Sequence, residues 1–293
     1  MPTSALALVI LAGLIHACWN IVAKKVGGDA RFALFTGVLM MVVWAPLGVW
    51  LSWQQLPDWG WPELAVVLVS GALHVGYYLV LLRGYREADL TVVYPLARGS
   101  GPLLSSTMAI VFLGEQLSAW GAFGIAGVVG GVFLVAGGPS LFRAAQDPAK
   151  RTRVRAGVFY GLVTGVFISA YTVVDGWGVK VLEMSPVLVD YLGNMVRLLI
   201  LVPLVIPARA GLLPLFRSQW KGALLVATIS PISYVLVLYA MQVAPMSHVA
   251  PAREVSMLFA ALIGGHLLSE GDRAMRILGA ACIAVGVIAL ALG

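Results

Sequence analysis

Charge is what this sequence has least of. Asp, Glu, Lys and Arg make up 11% of its residues against 60% hydrophobic ones, and the mean hydropathy is +0.95. That balance lies well outside the range of soluble domains. Cysteine is nearly absent. Cys18 and Cys282 stand alone in apolar runs with no CxxC or Cys/His grouping, which excludes a disulfide framework and a thiolate metal site and leaves two packing residues. No His/Asp/Glu cluster has metal-ligand spacing and no glycine-rich phosphate loop is present, so neither a metal hydrolase nor an ATP-driven pump is expected, and no cofactor. Long polar stretches are missing too. The longest connection, 139–156, follows a helix stop at Gly137-Gly138-Pro139 and is basic, so it reads as a linker and no sizeable extramembrane domain is expected.

What is present is a succession of apolar runs. Ten spans are predicted, over 3–23, 30–51, 63–83, 90–113, 120–136, 157–179, 186–206, 222–241, 246–268 and 276–292. Each is near the ~20 residues that cross the hydrocarbon core. The first lacks a basic leader and carries His16, Trp19 and Asn20, so it reads as a retained helix and not a signal peptide. The net charge of +6 is a topology signal and not a nucleic-acid patch: every Lys and Arg in a connection except Lys180 falls on one side. By the positive-inside rule that side is cytoplasmic and both termini are outside, in a multi-pass inner-membrane protein.

The two halves repeat each other. Ala88 to Pro95, Arg98 and Leu113-Gly114-Glu115 return as Ala244 to Pro251, Arg253 and Ser269-Glu270, and Tyr78 returns as Tyr234. The spacing is about half the chain, with a one-residue slip after the prolines, as in transporters built from two related bundles. An odd span number per half makes the copies point in opposite directions. The expected architecture is therefore all-α, ten transmembrane helices in two inverted five-helix repeats (1–138 and 157–293, joined by 139–156) around a central cavity.

His16-Ala17-Cys18-Trp19-Asn20 followed by Lys24, the Pro95 helix, and Leu113-Gly114-Glu115 with Gly121 and Gly124, in that order, resemble the drug/metabolite transporter superfamily, specifically its ten-helix EamA type. The resemblance covers nearly the whole chain. It implies alternating access and small metabolites, often amino acids, as cargo. It also implies both termini in the cytoplasm, the reverse of the charge distribution; the charge distribution sets the expectation taken here.

Six charged side chains fall inside spans: Arg98, Asp175, Asp190, Arg197, Arg253 and Glu254. Each costs about 2.5 to 3.5 kcal/mol on insertion scales, so each needs a partner or a role. Arg98 and Arg253 follow prolines and lie roughly 10 to 12 Å below opposite surfaces, which predicts one arginine towards each gate. A guanidinium beside a proline-interrupted helix suits a carboxylate or phosphonate; the alternative is a structural ion pair with Glu254, Asp175 or Asp190. Asp190, Asn194 and Arg197 share one helix face and read as an interhelical clamp or as function concentrated in the second half. Asp175 and Glu254 are the carboxylates suited to proton coupling, with His16 and His74 as alternatives. Trp19, Asn20, Tyr78, Tyr94, Tyr171 and Tyr234, with Arg98 and Arg253, are the candidate substrate contacts. Asp190, Asn194 and Arg197 join the coupling or gating candidates. Glu115 and Glu270 read as local caps or pairs.

Gly121, Gly124, Gly127, Gly130 and Gly131 in span five, and Gly279, Ala280, Cys282 and Gly286 in span ten, predict close helix packing within the bundle or across a dimer, so monomer and homodimer both stay open. Arg98-Gly99-Ser100-Gly101 has the look of a protease segment, but Ala97 stands where the first glycine is required. The reading is a secondary transporter of small polar metabolites, amino-acid-like zwitterions or organic anions, in a lipid bilayer. The alternatives are a lipid or lipid-linked precursor flippase, and an amine or quaternary ammonium carrier received by tyrosine faces.

Overall fold

The computed structural model describes residues 1–26, 29–88, 90–135, 138, 151–206, 211–263 and 273–293. Among them every regular element is helical. α1 (Thr3–Val26), α2 (Ala30–Gln55, continued by a 3-10 turn, Leu56–Asp58), α3 (Trp61–Glu87), α4 (Leu90–Leu113) and α5 (Ala119–Val135) form the first half. α6 (Arg151–Lys180), α7 (Pro186–Val205), α8 (Leu212–Val243), α9 (Met246–Ala252), α10 (Val255–Ile263) and α11 (Arg273–Leu292) form the second. Seven of these, α1 to α4 and α6 to α8, are long and apolar enough to cross a membrane, and α5 and α11 carry shorter apolar stretches. Most of the expected linker, Gly137 and Pro139 of the stop, and Ser269-Glu270 lie outside the described residues.

Helices outrun the apolar runs that announce them. α6 begins at Arg151 and α8 at Leu212, each well before its span, because a backbone ladder continues into water whereas hydropathy stops at the interface. Conversely, the span expected over 246–268 begins as two helices, α9 and α10, interrupted at Arg253 and Glu254. At the break the hydrogen bonds tighten: Glu254 N–H reaches Pro251 C=O at 2.9 Å and Met257 N–H reaches Glu254 C=O at 2.9 Å. Pro251 has no N–H to give Ser247, one turn earlier. The orphaned Ser247 carbonyl takes the Ser106 hydroxyl of α4 at 3.0 Å. The same repair occurs on α8, where Pro231 frees Ala227 C=O and Trp44 of α2 donates its Nε1–H to it at 3.2 Å. In hydrocarbon such substitution is what lets a proline remain in a spanning helix.

Helix ends follow local chemistry. The Asp29 carboxylate accepts the Arg31 and Phe32 N–H groups and so caps α2 (2.9 and 3.3 Å). α4 stops at Gly114, which has φ +66° with open space around it, so glycine is required there for its backbone conformation.

Packing relates the halves. α1 lies on α8 as α3 lies on α6, α2 on α8 as α3 on α7, and α4 on α6 as α1 on α9 and α10. α5 packs on α11 through small residues: a Cβ on Gly131 would stand 2.6 Å from Gly279 O, and one on Gly279 2.7 Å from Gly131 O. The glycine-rich faces are thus used within the chain, where backbones approach too closely for any side chain.

Candidate functional site

The break between α9 and α10 sits opposite the middle of α4. Arg98 directs Nη2 to Ser256 Oγ at 3.0 Å and Nε to Glu254 Oε2 at 3.0 Å, the latter close but not aligned as a hydrogen bond. Arg98, Arg253 and Glu254 are 9%, 6% and 1% exposed, which places all three inside the bundle. Arg98 is thus paired with the residue that follows Arg253 in the chain, and Arg253 lies within electrostatic reach of the same carboxylate. Among the described residues, neither Glu254 oxygen, nor Arg253 Nε, makes a hydrogen bond. A buried ion pair left short of hydrogen bonds repays little of its desolvation cost.

A second polar group adjoins the first. His74 on α3 stacks on Tyr171 of α6 (4.0 Å between centroids, 26°) and meets Tyr234 of α8 edge-on at 5.7 Å. Tyr77 lies edge-on to Tyr171 at 5.8 Å. His74 Nδ1 is 2.9 Å from Ser70 C=O, and a carbonyl only accepts, so that nitrogen carries the proton and Nε2 is left as an acceptor in the neutral ring. Tyr234 donates its hydroxyl to Asp175, a fully buried carboxylate on α6. Behind them on α7, Arg197 pairs with Asp190 at 2.9 Å and also donates to Asp190 C=O at 3.1 Å. These two charges close on each other along their own helix; Asn194 between them makes the interhelical bond, to Gly37 C=O of α2 at 3.0 Å.

His16, half-buried on α1, lies within electrostatic reach of Arg98 and Arg253 and contacts Trp19 edge-on at 4.8 Å. Tyr94, half-buried on α4, lies within reach of Arg98. Trp19 donates to Ser233 Oγ of α8 at 3.3 Å. Asn20 turns back on its own helix, donating to His16 C=O at 2.9 Å. Tyr78 stands apart from the centre: its hydroxyl donates to Asp29 C=O at 2.9 Å, at the α1–α2 connection, so it fastens a helix end.

Sequence reasoning missed one cluster. Glu115, read there as a local cap, accepts the Met246 and Ser247 N–H groups at the start of α9 (2.8 Å each) and Lys180 Nζ at the end of α6 (2.9 Å). The Gly114 turn aims it there, and Lys180, the lone basic residue in a connection on its side, was the available signal. Burial raises the Glu115 pKa, but the bonds from Ser247, Lys180 and Met246 outweigh it and hold the carboxyl below its ordinary value. This end of the bundle is fastened by a carboxylate that joins α4, α6 and α9.

Charged groups thus lie around a helix break, with aromatic neighbours, inside a bundle of long apolar helices. A solved crystal structure of a protein matches 100% of this chain, and 98% of its own, with a TM-score of 0.74 at 14% identity, which is a likeness of fold alone. No curated protein matches the sequence. A family model matches residues 3–137 and 155–292, which takes in every residue of the buried centre. A multi-pass membrane chain covered over both halves by that one model, the chain belongs to the EamA-like transporter family.

Proposed function

We propose that this protein is a secondary active transporter that carries small polar organic metabolites, amino-acid-like zwitterions or organic anions, across the cytoplasmic membrane by alternating access. The observation that carries the reading is Arg98 paired with Glu254 at the α9–α10 break, with Arg253 next to them, all three buried and, among the described residues, with polar atoms lacking hydrogen bonds. A guanidinium with an unused N–H offers a fork to a carboxylate or phosphonate. The rocking units are the two five-span repeats, and α9 and α10 belong to one interrupted span of the second. Support comes from the paired packing, in which the largest contacts between helices of opposite halves have counterparts after exchange of the halves. Two inverted units have two arrangements of equal kind, one open to each side.

Glu254 is the coupling acid in this reading. It faces Arg98 without a fixed hydrogen bond, so a proton and the guanidinium compete for it. The basic connections lie in the cytoplasm and both termini outside. The Glu115–Lys180 cluster then closes the outer side.

The flippase reading has one observation of its own: a groove of about 540 Å³ lined by Arg151, Val154, Arg155, Val158, Phe159 and Leu162 of α6, where guanidinium groups stand beside exposed apolar side chains. One experiment separates the two. Thermal unfolding of the purified protein is measured with amino acids, carboxylates, quaternary amines and lipids, and repeated on Arg98→Ala and Arg253→Ala. A binder raises stability by mass action. Stabilisation by zwitterions or anions that both variants lose supports the transporter of polar solutes. Stabilisation by lipids or amines alone, indifferent to both variants, overturns it.

A further inference from the structure

α9 is a helix of seven residues, all of them buried, set between two breaks. Before it, Ala244 and Pro245 are extended and end α8; after it, the turn at Arg253 and Glu254 separates it from α10. Seven residues rise about 10 Å, roughly two turns. So short a helix is marginal by its own hydrogen bonds, and its position depends on what its neighbours fasten.

Those fastenings come from α4 and run from one end of α9 to the other. Glu115, just past the end of α4, accepts the Met246 and Ser247 N–H groups at 2.8 Å each, and Ser106 donates its hydroxyl to Ser247 C=O at 3.0 Å. Arg98, further back on α4, pairs with Glu254 at the far end of α9 at 3.0 Å, so the two helices lie antiparallel. Lys180 of α6 completes the first fastening, donating to Glu115 at 2.9 Å and to Ala244 C=O at 3.4 Å. Between the ends, His248 makes no hydrogen bond through either ring nitrogen among the described residues. The contacts from α4 join one half of the chain to the other, and they are polar, so water can replace each of them as it parts. The α5–α11 contact is different, closed by backbone atoms at glycines. Glu115 is also mounted on Gly114, whose φ of +66° and open surroundings let the carboxylate turn away without displacing α4.

We propose that α9 is the gate on the Glu115 side of the bundle, a rigid rod held shut at its start by Glu115 and at its end by Arg98 on Glu254, so that release at the buried centre is transmitted to the closure. This rests on the transporter reading and deepens it. Glu254 and Glu115 stand at opposite ends of one two-turn helix with a break on either side, so the rod tilts as a unit and neither fastening opens alone. Whatever neutralises Glu254 or draws Arg98 away from it thereby loosens the closure about 10 Å further along the helix.

The test is the rate at which N-ethylmaleimide modifies single cysteines in the full chain in detergent, with Cys18→Ala and Cys282→Ala as background. His248→Cys reports the outer end of the rod, Ala252→Cys its inner end, and Val128→Cys, buried in the α5–α11 contact, reports the fold. Modification of a buried thiol follows the population of the open form. Each cysteine of α9 is expected to react slowly in the otherwise unchanged protein. Glu254→Gln is expected to speed His248→Cys, and Glu115→Gln to speed Ala252→Cys, each by about tenfold to a hundredfold, the worth of one charge-assisted contact, while Val128→Cys stays protected. Should a neutral variant expose Val128→Cys, the shorter acids Glu254→Asp and Glu115→Asp, which keep the charge and reduce the reach, take its place in the same comparison. A helix that merely frays would have each cysteine follow only the nearer fastening: His248→Cys indifferent to Glu254, or Ala252→Cys indifferent to Glu115, overturns the proposal. Either result leaves the transporter reading standing, since that falls only when zwitterions and anions fail to stabilise the parent protein.

Discussion

Glu254 and Glu115 are both buried carboxylates with a basic partner, and their surroundings assign them opposite behaviour. Glu254 has an arginine at 3.0 Å and, among the described residues, no hydrogen bond, an arrangement ready to change. Glu254→Gln is expected to abolish pH-driven uptake into proteoliposomes while counterflow exchange of labelled cargo persists; unchanged pH-driven uptake removes Glu254 from coupling. Glu115 is saturated, with two backbone donors and an ammonium. Its folded pKa lies below that of the unfolded chain, so as pH falls the unfolded chain binds the proton first. The resulting stabilisation is complete above the unfolded value, near 4.5, and disappears as pH falls through the lower folded value. Thermal midpoints measured between pH 6 and pH 3 are expected to fall with pH in the parent and to fall less steeply, from a lower value at pH 6, in Glu115→Gln, where Asp29, also held below its ordinary value by Arg31, still contributes. Parallel curves would mean that Glu115 titrates alike folded and unfolded.

Among elements, the α5–α11 contact makes the sharpest demand on the sequence. Gly131, Gly279 and Gly286 each face a backbone atom of the opposite helix at 2.6 to 2.7 Å from where a Cβ would stand, whereas Gly130 faces open space. Gly131→Ala and Gly279→Ala are expected to lower stability by about 1 to 3 kcal/mol through forced separation of the helices, and Gly130→Ala to leave it unchanged or slightly raised. Unfolding curves of the three variants decide this, and equal midpoints would refute the close contact. The pattern of glycines was legible in the sequence because small residues at helical spacing have few other uses in a membrane. The interruption of the ninth span was only half legible. Pro251 and Pro95 stand at matching places, yet α4 runs unbroken through Pro95 while α9 ends just after Pro251. A proline removes one donor wherever it stands; whether the helix breaks depends on what neighbouring helices offer the freed carbonyl, as Ser106 offers Ser247.

For the molecule as a whole, orientation is the property on which charge and family likeness disagree. A reporter fused after Gly293 is expected to be active only when it is of the kind that matures outside the cytoplasm, since the basic connections hold the other face inside. Activity of a cytoplasm-only reporter at that position reverses the topology and places the Glu115–Lys180 closure on the inner side. The sequence by itself determined the apolar surroundings, the family and seven of the spans, because hydropathy and motifs are read from the residues alone and need no partner. Only the tertiary structure decided which charges meet: that Arg98 takes Glu254 from the other half, that Arg197 takes Asp190 along its own helix, that Glu115 crosses to α9, and that Asp175 takes the Tyr234 hydroxyl. Pairing depends on distances of about 3 Å between residues far apart in the chain, and those are set by helix crossings and one broken turn, which no local pattern encodes.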